Sequence, residues 1–479
     1  MALGKRKDVA QPLFVSTADL PGVTPNPFYD AVNKVLASHQ FDPFVEQLCA
    51  GFYHQSMGRR GLAPGIYFRC LLAGYFEGLE SERGIAWRCS DSKSLGLFLG
   101  YAVDEKTPDH STISRTRRLI DLETHEQVFA YVLKILANHG LIEGKTIGVD
   151  STTLEANAAL RSLVRRDNGQ SYQDFLIGLA KQSGIETPTR EDLAKLDRKR
   201  KGKGNNDDWV NPNDPDAKIT KMKDGTTHLA HGSTELAEVK AEHAVDFDSG
   251  VILADFGELS RVVNVCDAVA GDTQTICDTI NQASENLRAI VDDERVSEKI
   301  SDDWASEVVA DKGYHSNDTM KDLREMDLRT YISEPARGRR NWRDQEDGLD
   351  ARDATYANRR RIKGERGKAL MRMRGELLER SFAHNYETGA MRRLHLRGRG
   401  NIAKRALIHT AGFNLGLLMR VKFGLLKPRR LSDRGGCAPM VLLLAWKWLL
   451  DILGRLNNPT RVMWTPLDQL NGSFDLQAA

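Results

Sequence analysis

Two short apolar runs in this sequence each end in an aspartate. Thr146-Ile147-Gly148-Val149 leads into Asp150 and the polar Ser151-Thr152-Thr153, and Val308-Val309-Ala310 leads into Asp311 and Lys312. A strand-end aspartate on its own is usually a turn former or a helix cap. Two of them on neighbouring strands would bring two carboxylates to one sheet edge. Such a pair can hold Mg²⁺, a hard cation that prefers oxygen ligands. A third carboxylate from a helix would complete a two-metal site, which activates an attacking oxygen and stabilises the leaving oxygen of an in-line phosphoryl transfer. Glu365, Glu376, Glu379 and Glu387 are the candidates, and Glu376 and Glu379 share a helical face. Neither a GxSxG elbow nor a GxxxxGK[ST] loop occurs, which argues against a serine nucleophile of that kind and a P-loop.

Charge points to a substrate for such a site. The 479-residue chain has a net charge of only +2. Residues 359–430 nevertheless carry 20 Lys or Arg against four Glu, about +16, which leaves the rest near −14. The runs "NRRRIKGERGK" (358–368) and "MRRLHLRGRGNIAKR" (391–405) hold most of it. An ordinary solvated helical face mixes its signs; one sign concentrated in one segment is the footprint of a polyanion-binding surface.

The elements that must position these residues read as follows. Residues 1–140 are helical, with proline at the start of "APGIYFRCLLAGYFEGL" (63–79) and a serine opening "SERGIAWRCS" (81–90). In "TPDHSTISRTRRLI" (107–120), Asp109 or Ser111 caps a helix carrying Arg115, Arg117 and Arg118. Such a helix could face DNA, as the reading helix of a helix-turn-helix does, or be a basic solvated helix of a bundle. Residues 144–150 read as a strand. About 159–235 form a polar insertion whose composition cannot bury a core. A hairpin follows over 235–259, turning at Asp248-Ser249-Gly250. Then come a helix (272–290), a strand (306–311), a helix (317–326), a strand (328–335) and basic helices (359–423). The order implies a mixed α/β sheet with helices on its faces.

Other features set limits. The six cysteines are scattered with no CxxC pair, as expected in a reducing cytosol. His315, His384 and His409 lack metal-ligand spacing, so satisfied or solvated histidines are the default. No apolar core follows the basic N-terminus, so no signal peptide is read there, and "PMVLLLAWKWLLDILG" (439–454) is too short and too charged to span a bilayer. The expectation is a cytoplasmic protein with no membrane partner and a helical C-terminal tail over 426–479.

Taken in order, "GVDSTTLEANA", "VVADKGYHS" and "GELLERSFAHNYETGAMRRLHLRGRGNIAKR" resemble the bacterial insertion-sequence transposases of the DDE type. "LESERGIAWRCS" and "LGYAVDEKTPDHSTISRTR" resemble their helical N-terminal domain, and the likeness covers roughly residues 40–425. The resemblance implies an RNase H-like catalytic domain over 141–425, preceded by a helical DNA-binding domain over 1–140. It implies Asp150, Asp311 and Glu379 as catalytic carboxylates holding two Mg²⁺, with Mn²⁺ able to substitute. Their separations of 161 and 68 residues fit the family. Many relatives set Tyr, Arg and Lys around the Glu. Here Arg372 and Gly375 stand seven and four before it and Tyr386 seven after, so Arg372, Arg374 or Arg380 would take the phosphate-contacting role. Further DNA contacts are expected from Lys312, Arg339, Arg340, Arg392 and Arg393. Trp342 is either an aromatic wedge for a flipped base or a loop anchor. The partners implied are the inverted-repeat ends of a mobile element and target DNA, handled by a homodimer on DNA at the nucleoid. A catalytically silent DNA-binding derivative and an RNase H-like nuclease without strand joining are the alternatives.

Overall fold

The computed structural model describes residues 23–428, apart from residues 55–56, 59, 155–161, 200–206, 214–216, 222–226, 232–238, 258–271, 292–299, 301–303, 337, 339–341, 343–347 and 394. Arg339, Arg340 and nearly all of the expected tail lie outside the described residues. Among the described residues seven α-helices come first: α1 (Pro27–Ser38), α2 (Phe41–Cys49), α3 (Pro64–Glu77), α4 (Glu82–Asp91), α5 (Lys93–Leu99), α6 (His110–Leu119) and α7 (Leu122–Asn138). Their starts follow the sequence. The side chains of Asn26, Ser81, Ser92, Asp109 and Asp121 each accept a hydrogen bond from an otherwise orphaned N–H of the first turn. At α6 the cap is Asp109 rather than Ser111, whose hydroxyl donates to the Asp109 carboxylate. Helix α3 is buried on nearly every side, so it is the centre of the bundle.

The sheet begins with β1 (Thr146–Leu154). The insertion that follows is more ordered than its composition suggests. It contains β2 (Val164–Arg165), α8 (Tyr172–Gln182), α9 (Arg190–Lys199), β3 (Trp209–Val210), β4 (Ala217–Lys221) and β5 (Thr227–His231). The β2–β3 pair and α8 close over Trp209, whose ring lies edge-on to Tyr172 and Phe175, and Leu163, Leu176 and Ala180 are buried. One large ring with a few aliphatic neighbours suffices for a small satellite core, which the surrounding Lys, Asp and Gly concealed.

The remaining elements are β6 (Val239–Asp246), β7 (Ile252–Gly257), α10 (Asp272–Val291), β8 (Glu307–Ala310), α11 (Asn317–Glu325), β9 (Arg329–Ile332), α12 (Gly348–Lys363), α13 (Glu365–Phe382) and α14 (Arg399–Phe423). Five strands form one sheet in the order β7-β6-β1-β8-β9. Strands β1, β6 and β7 are antiparallel, turning at Asp248-Ser249-Gly250, while β8 and β9 run parallel to β1. Helix α10 covers one face, where Thr275 and Thr279 donate to the buried Glu242 carboxylate of β6. Helix α13 covers the other.

Both sheet edges are closed by asparagine. On β9, Asn358 of α12 accepts from the Ile332 N–H (3.0 Å) and donates to its carbonyl (2.8 Å). On β7, Asn414 of α14 does the same to Ile252 at 3.0 and 2.8 Å. An amide side chain carries one acceptor and two donors, so it replaces a strand partner at a single edge residue.

Helix α14 also ties the sheet to the N-terminal helices, packing against α3 and α7 within one continuous hydrophobic core. The buried Lys404 ammonium donates to the carbonyls of Arg117 (3.1 Å) and Ile120 (2.7 Å), which cap the C-terminal end of α6. The buried Arg405 donates to the Leu79 carbonyl (2.7 Å) just past α3 and to His409 Nδ1 (3.2 Å). The change at residue 140 is therefore one of element type, not a break in packing. Arg405→Ala should destabilise the protein by about 3 kcal/mol, because it removes two buried hydrogen bonds and opens a cavity. Urea unfolding measures this, and a loss below about 1 kcal/mol would show that the buried guanidinium is dispensable.

Candidate active site

Asp150 lies inside a strand, not at its tip. Parallel pairing with β8 ends at Val149↔Ala310, but β1 continues to Leu154 as an antiparallel ribbon with β6, in which Asp150 lies opposite His243. Asp311 follows β8 directly, accepts from the Gly313 N–H (3.0 Å) and caps a short 3-10 turn over Lys312–Tyr314. The two aspartates thus stand side by side where the parallel ladder ends. They line one cavity of about 440 Å³ with Ser151, Lys312, Gly313, Tyr314, Pro335 and Ala336.

Strand alternation fixes the face. Ile147 and Val149 are fully buried, while Gly148 and Asp150 point to the other side, where α13 runs. Helix α13 is pinned there at three levels. Arg366 pairs with Glu307, whose carboxylate also accepts from Thr146 Oγ1 (2.8 Å). Arg374 Nη1 donates to Asp150 Oδ2 at 3.1 Å. Ser381 Oγ meets His243 Nδ1 at 3.0 Å. From Arg366 to Arg374 a helix rises about 12 Å, and from Thr146 to Asp150 a strand advances about 13 Å. Helix and strand therefore run side by side in step.

Helical periodicity then decides which α13 residues face the sheet. Leu370, Arg374, Leu378 and Ser381 recur at intervals of three or four, and both leucines are buried. Glu379 lies one residue past Leu378, is exposed, and is not among the residues lining the cavity. Among the described residues, no group of three or more His, Cys, Asp or Glu is disposed to hold a metal ion. The structure therefore brings Asp150 and Asp311 together and sets Arg374, rather than Glu379, against Asp150.

Beyond Ser381 the helix loosens into a π turn, Ala383–Thr388. There His243, Phe382 and Tyr386 stack, with the His243 ring 4.4 Å from Phe382 and 5.8 Å from Tyr386. His243 Nε2 meets the Tyr386 hydroxyl at 3.2 Å. Nothing in the charge pattern marked this cluster; the alternation of "AEHAVD" was its only signal.

Burial lowers the pKa of His243 to about 3 and that of His125, which is bonded to the Asp121 carbonyl and Tyr67, to about 4. It lowers His409 well below the usual range. All three fold as neutral imidazoles. Below pH 6.5 the unfolded chain takes up protons that the folded protein refuses, so stability present above pH 6.5 is lost as pH falls. Each group contributes a slope of about 1.4 kcal/mol per pH unit until its folded pKa is reached. Burial acts in the opposite sense on Asp246, raising its carboxyl to about 6, so that one group gains stability on acidification below pH 6. Three against one, Tm should fall between pH 7 and pH 5; a flat or rising Tm would contradict neutral burial.

The other expected contacts divide into exposed and internal residues. Lys312, Arg372 and Arg393 are exposed. Arg380 and Arg392 are exposed but pair with Glu376 and Glu387 on their own segment. On α6, Arg115 and Arg118 are exposed, whereas Arg117 turns inward and pairs with Glu82 of α4 at 2.7 Å. Arg359 and Arg361 are engaged by Glu334 and the Thr330 carbonyl. Lys404 and Arg405 are buried, and the exposed Arg366 is tied to Glu307, so part of the basic segment serves as internal scaffolding. Its net charge overstates its free surface. Trp342 lies 6.5 Å from the half-exposed Tyr356 ring. His409 is satisfied by Arg405 and the Gly389 carbonyl (2.7 Å). No described helix is long and apolar enough to cross a membrane.

Comparison with known families bears on residues 21–119, which match the family model described as Transposase domain (DUF772). The chain carries a transposase-family domain. That segment spans the described helices α1 to α6 and ends with Leu119, so the match rests on the helical part and supports a transposase in general terms. Searches of curated proteins and of solved structures find no match.

Proposed function

We propose that the chain is a DDE-type transposase with an RNase H-like core, which binds the inverted-repeat ends of a mobile element and performs metal-dependent DNA cleavage and strand transfer. One observation carries the reading. Asp150 and Asp311 directly follow the last parallel pair of two adjacent strands, in the same five-stranded sheet, and line the same cavity. The sheet order supports the RNase H-like core: an antiparallel β7-β6-β1 meander flanked by β8 and β9 parallel to its first strand. The transposase-family domain supports the substrate class.

The donor set fits a hard divalent cation. Both facing carboxylates are oxygen donors, open to a cavity large enough for hydrated Mg²⁺ and a phosphate. Asp150 and Asp311 would hold the ion, with Glu379 as the proposed third carboxylate. When bound, Mg²⁺ would polarise a phosphodiester and lower the pKa of water. The chain's own residues would bind and orient DNA. Lys312 lines the cavity beside Asp311 and would neutralise a backbone phosphate. Arg115 and Arg118 on α6 would meet the duplex elsewhere, with a homodimer handling two ends. Phosphate contacts of this kind weaken steeply as salt rises.

The test uses purified full-length protein and a plasmid carrying the DNA that borders its gene. Mg²⁺- or Mn²⁺-dependent cuts at the borders of short inverted repeats, followed by joining to a second plasmid, are expected. Binding without cutting would instead identify a silent DNA-binding derivative, and cutting without joining a nuclease.

A further inference from the structure

We propose that Arg374 gates the metal site. In the resting protein its guanidinium stands at the cation position on Asp150, and a DNA phosphate must draw it away before a divalent ion can load. This rests on the transposase reading of the cavity but adds a condition on when the site is competent.

The contact is geometrically enforced. Helix α13 cannot slide to relieve it, because Arg366–Glu307 lies on one side, Ser381–His243 on the other, and Leu370 and Leu378 are buried between. With the helix held, the contact is released by movement of the Arg374 side chain. It is also held lightly. Arg359 grips Glu334 through two nitrogens, at 2.5 and 2.8 Å. Arg374 reaches Asp150 through Nη1 alone, and its Nε is buried with no hydrogen-bond partner. A guanidinium engaged through one nitrogen, with another donor unsatisfied, is primed to exchange for a ligand that fills the fork. Phosphate oxygens present that two-pronged geometry. The two side chains are 21% and 23% exposed, so the pair is within reach of solvent and of a ligand in the cavity.

Electrostatics supplies the logic. Arg374 offsets charge on Asp150, and two cations on one carboxylate repel each other. A divalent ion on Asp150 therefore competes with Arg374, and DNA makes displacement favourable by offering the guanidinium a new anion. Metal and DNA then tighten each other's binding by the same factor.

Direct binding of Mn²⁺ to the full-length protein, followed by the resonance of the free ion, tests this without any activity readout. The DNA probe is a duplex copied from the sequence bordering the gene. Arg374→Ala and Arg374→Gln should bind Mn²⁺ about tenfold more tightly than wild type without DNA, as loss of a competing charge predicts. The duplex should tighten the wild type but change the two variants by less than about twofold. Arg374→Lys, which keeps the charge, should stay near wild type. Unchanged or weaker Mn²⁺ binding in both neutral variants, while Asp150→Asn abolishes it, would overturn the gate and leave the metal site standing. No Mn²⁺ binding in any form would overturn both.

Discussion

Asp150→Asn and Asp311→Asn should each lower DNA cleavage by at least about a thousandfold, the scale of removing a ligand or donor that acts on transition-state charge. DNA-end binding and folding should be nearly unchanged. In Asp150→Asn the amide keeps an acceptor oxygen facing Arg374, and the exchange removes one partly exposed ion pair, which contributes little to stability. In Asp311→Asn the amide oxygen can still accept from the Gly313 N–H and so preserve the 3-10 turn. Cleavage of a labelled end, gel-shift affinity and Tm, measured side by side, separate these effects. Cleavage within about tenfold of wild type in either variant would remove that carboxylate from the chemistry. A parallel loss of binding or Tm would instead assign it to the scaffold.

The second large effect is on the fold. Gly148 sits two residues before Asp150 on the central strand, and the ring of Phe247 lies directly over it. A Cβ built on Gly148 would come 2.7 Å from Phe247 Cζ and closer still to Cε1. The backbone is held on both sides, and the Phe247 ring is buried, so it would have to shift against the core. Strand β1 is hydrogen-bonded to neighbours on both sides, and the Phe247 N–H is held by the Thr146 carbonyl at 3.0 Å. Gly148→Ala should cost about 3 kcal/mol, at the upper end of overpacking losses, and Gly148→Val should prevent folding. Phe247→Leu should rescue part of the Gly148→Ala loss, because the two residues share one space. Equal urea midpoints for wild type and Gly148→Ala would mean that the ring can move aside. Because Gly148 and Asp150 share a face, milder substitutions here should also disturb the cavity.

Much of this was legible in one dimension. Helix starts were set by local hydrogen bonding of Asn, Ser and Asp side chains, and so were visible at Ser81 and Asp109. The β6–β7 hairpin announced itself through Asp248-Ser249-Gly250. The apolar runs before Asp150 and Asp311 were visible because the central strands are largely apolar up to these two residues. The transposase-family domain likewise rests on sequence.

What composition could not supply is who faces whom. The count of positive charge in residues 359–430 could not separate Arg372 and Arg393, which are exposed, from Lys404 and Arg405, which are buried against the ends of α6 and α3. A charge reads the same in sequence whether it meets water or a carbonyl. The same limit applied to Arg117, turned inward to Glu82 between two exposed arginines. It applied again to α13, where three glutamates and several arginines stood open as neighbours of Asp150. Short-range pattern was enough for the elements, the two aspartates and the family of the helical segment, because each of these is written in adjacent residues. It took the folded chain to show that β1 runs on past Asp150, that α13 is pinned by Glu307 and His243, and that Arg374 rather than Glu379 meets the first aspartate. Those facts depend on contacts between residues as many as 224 positions apart, which no local pattern encodes.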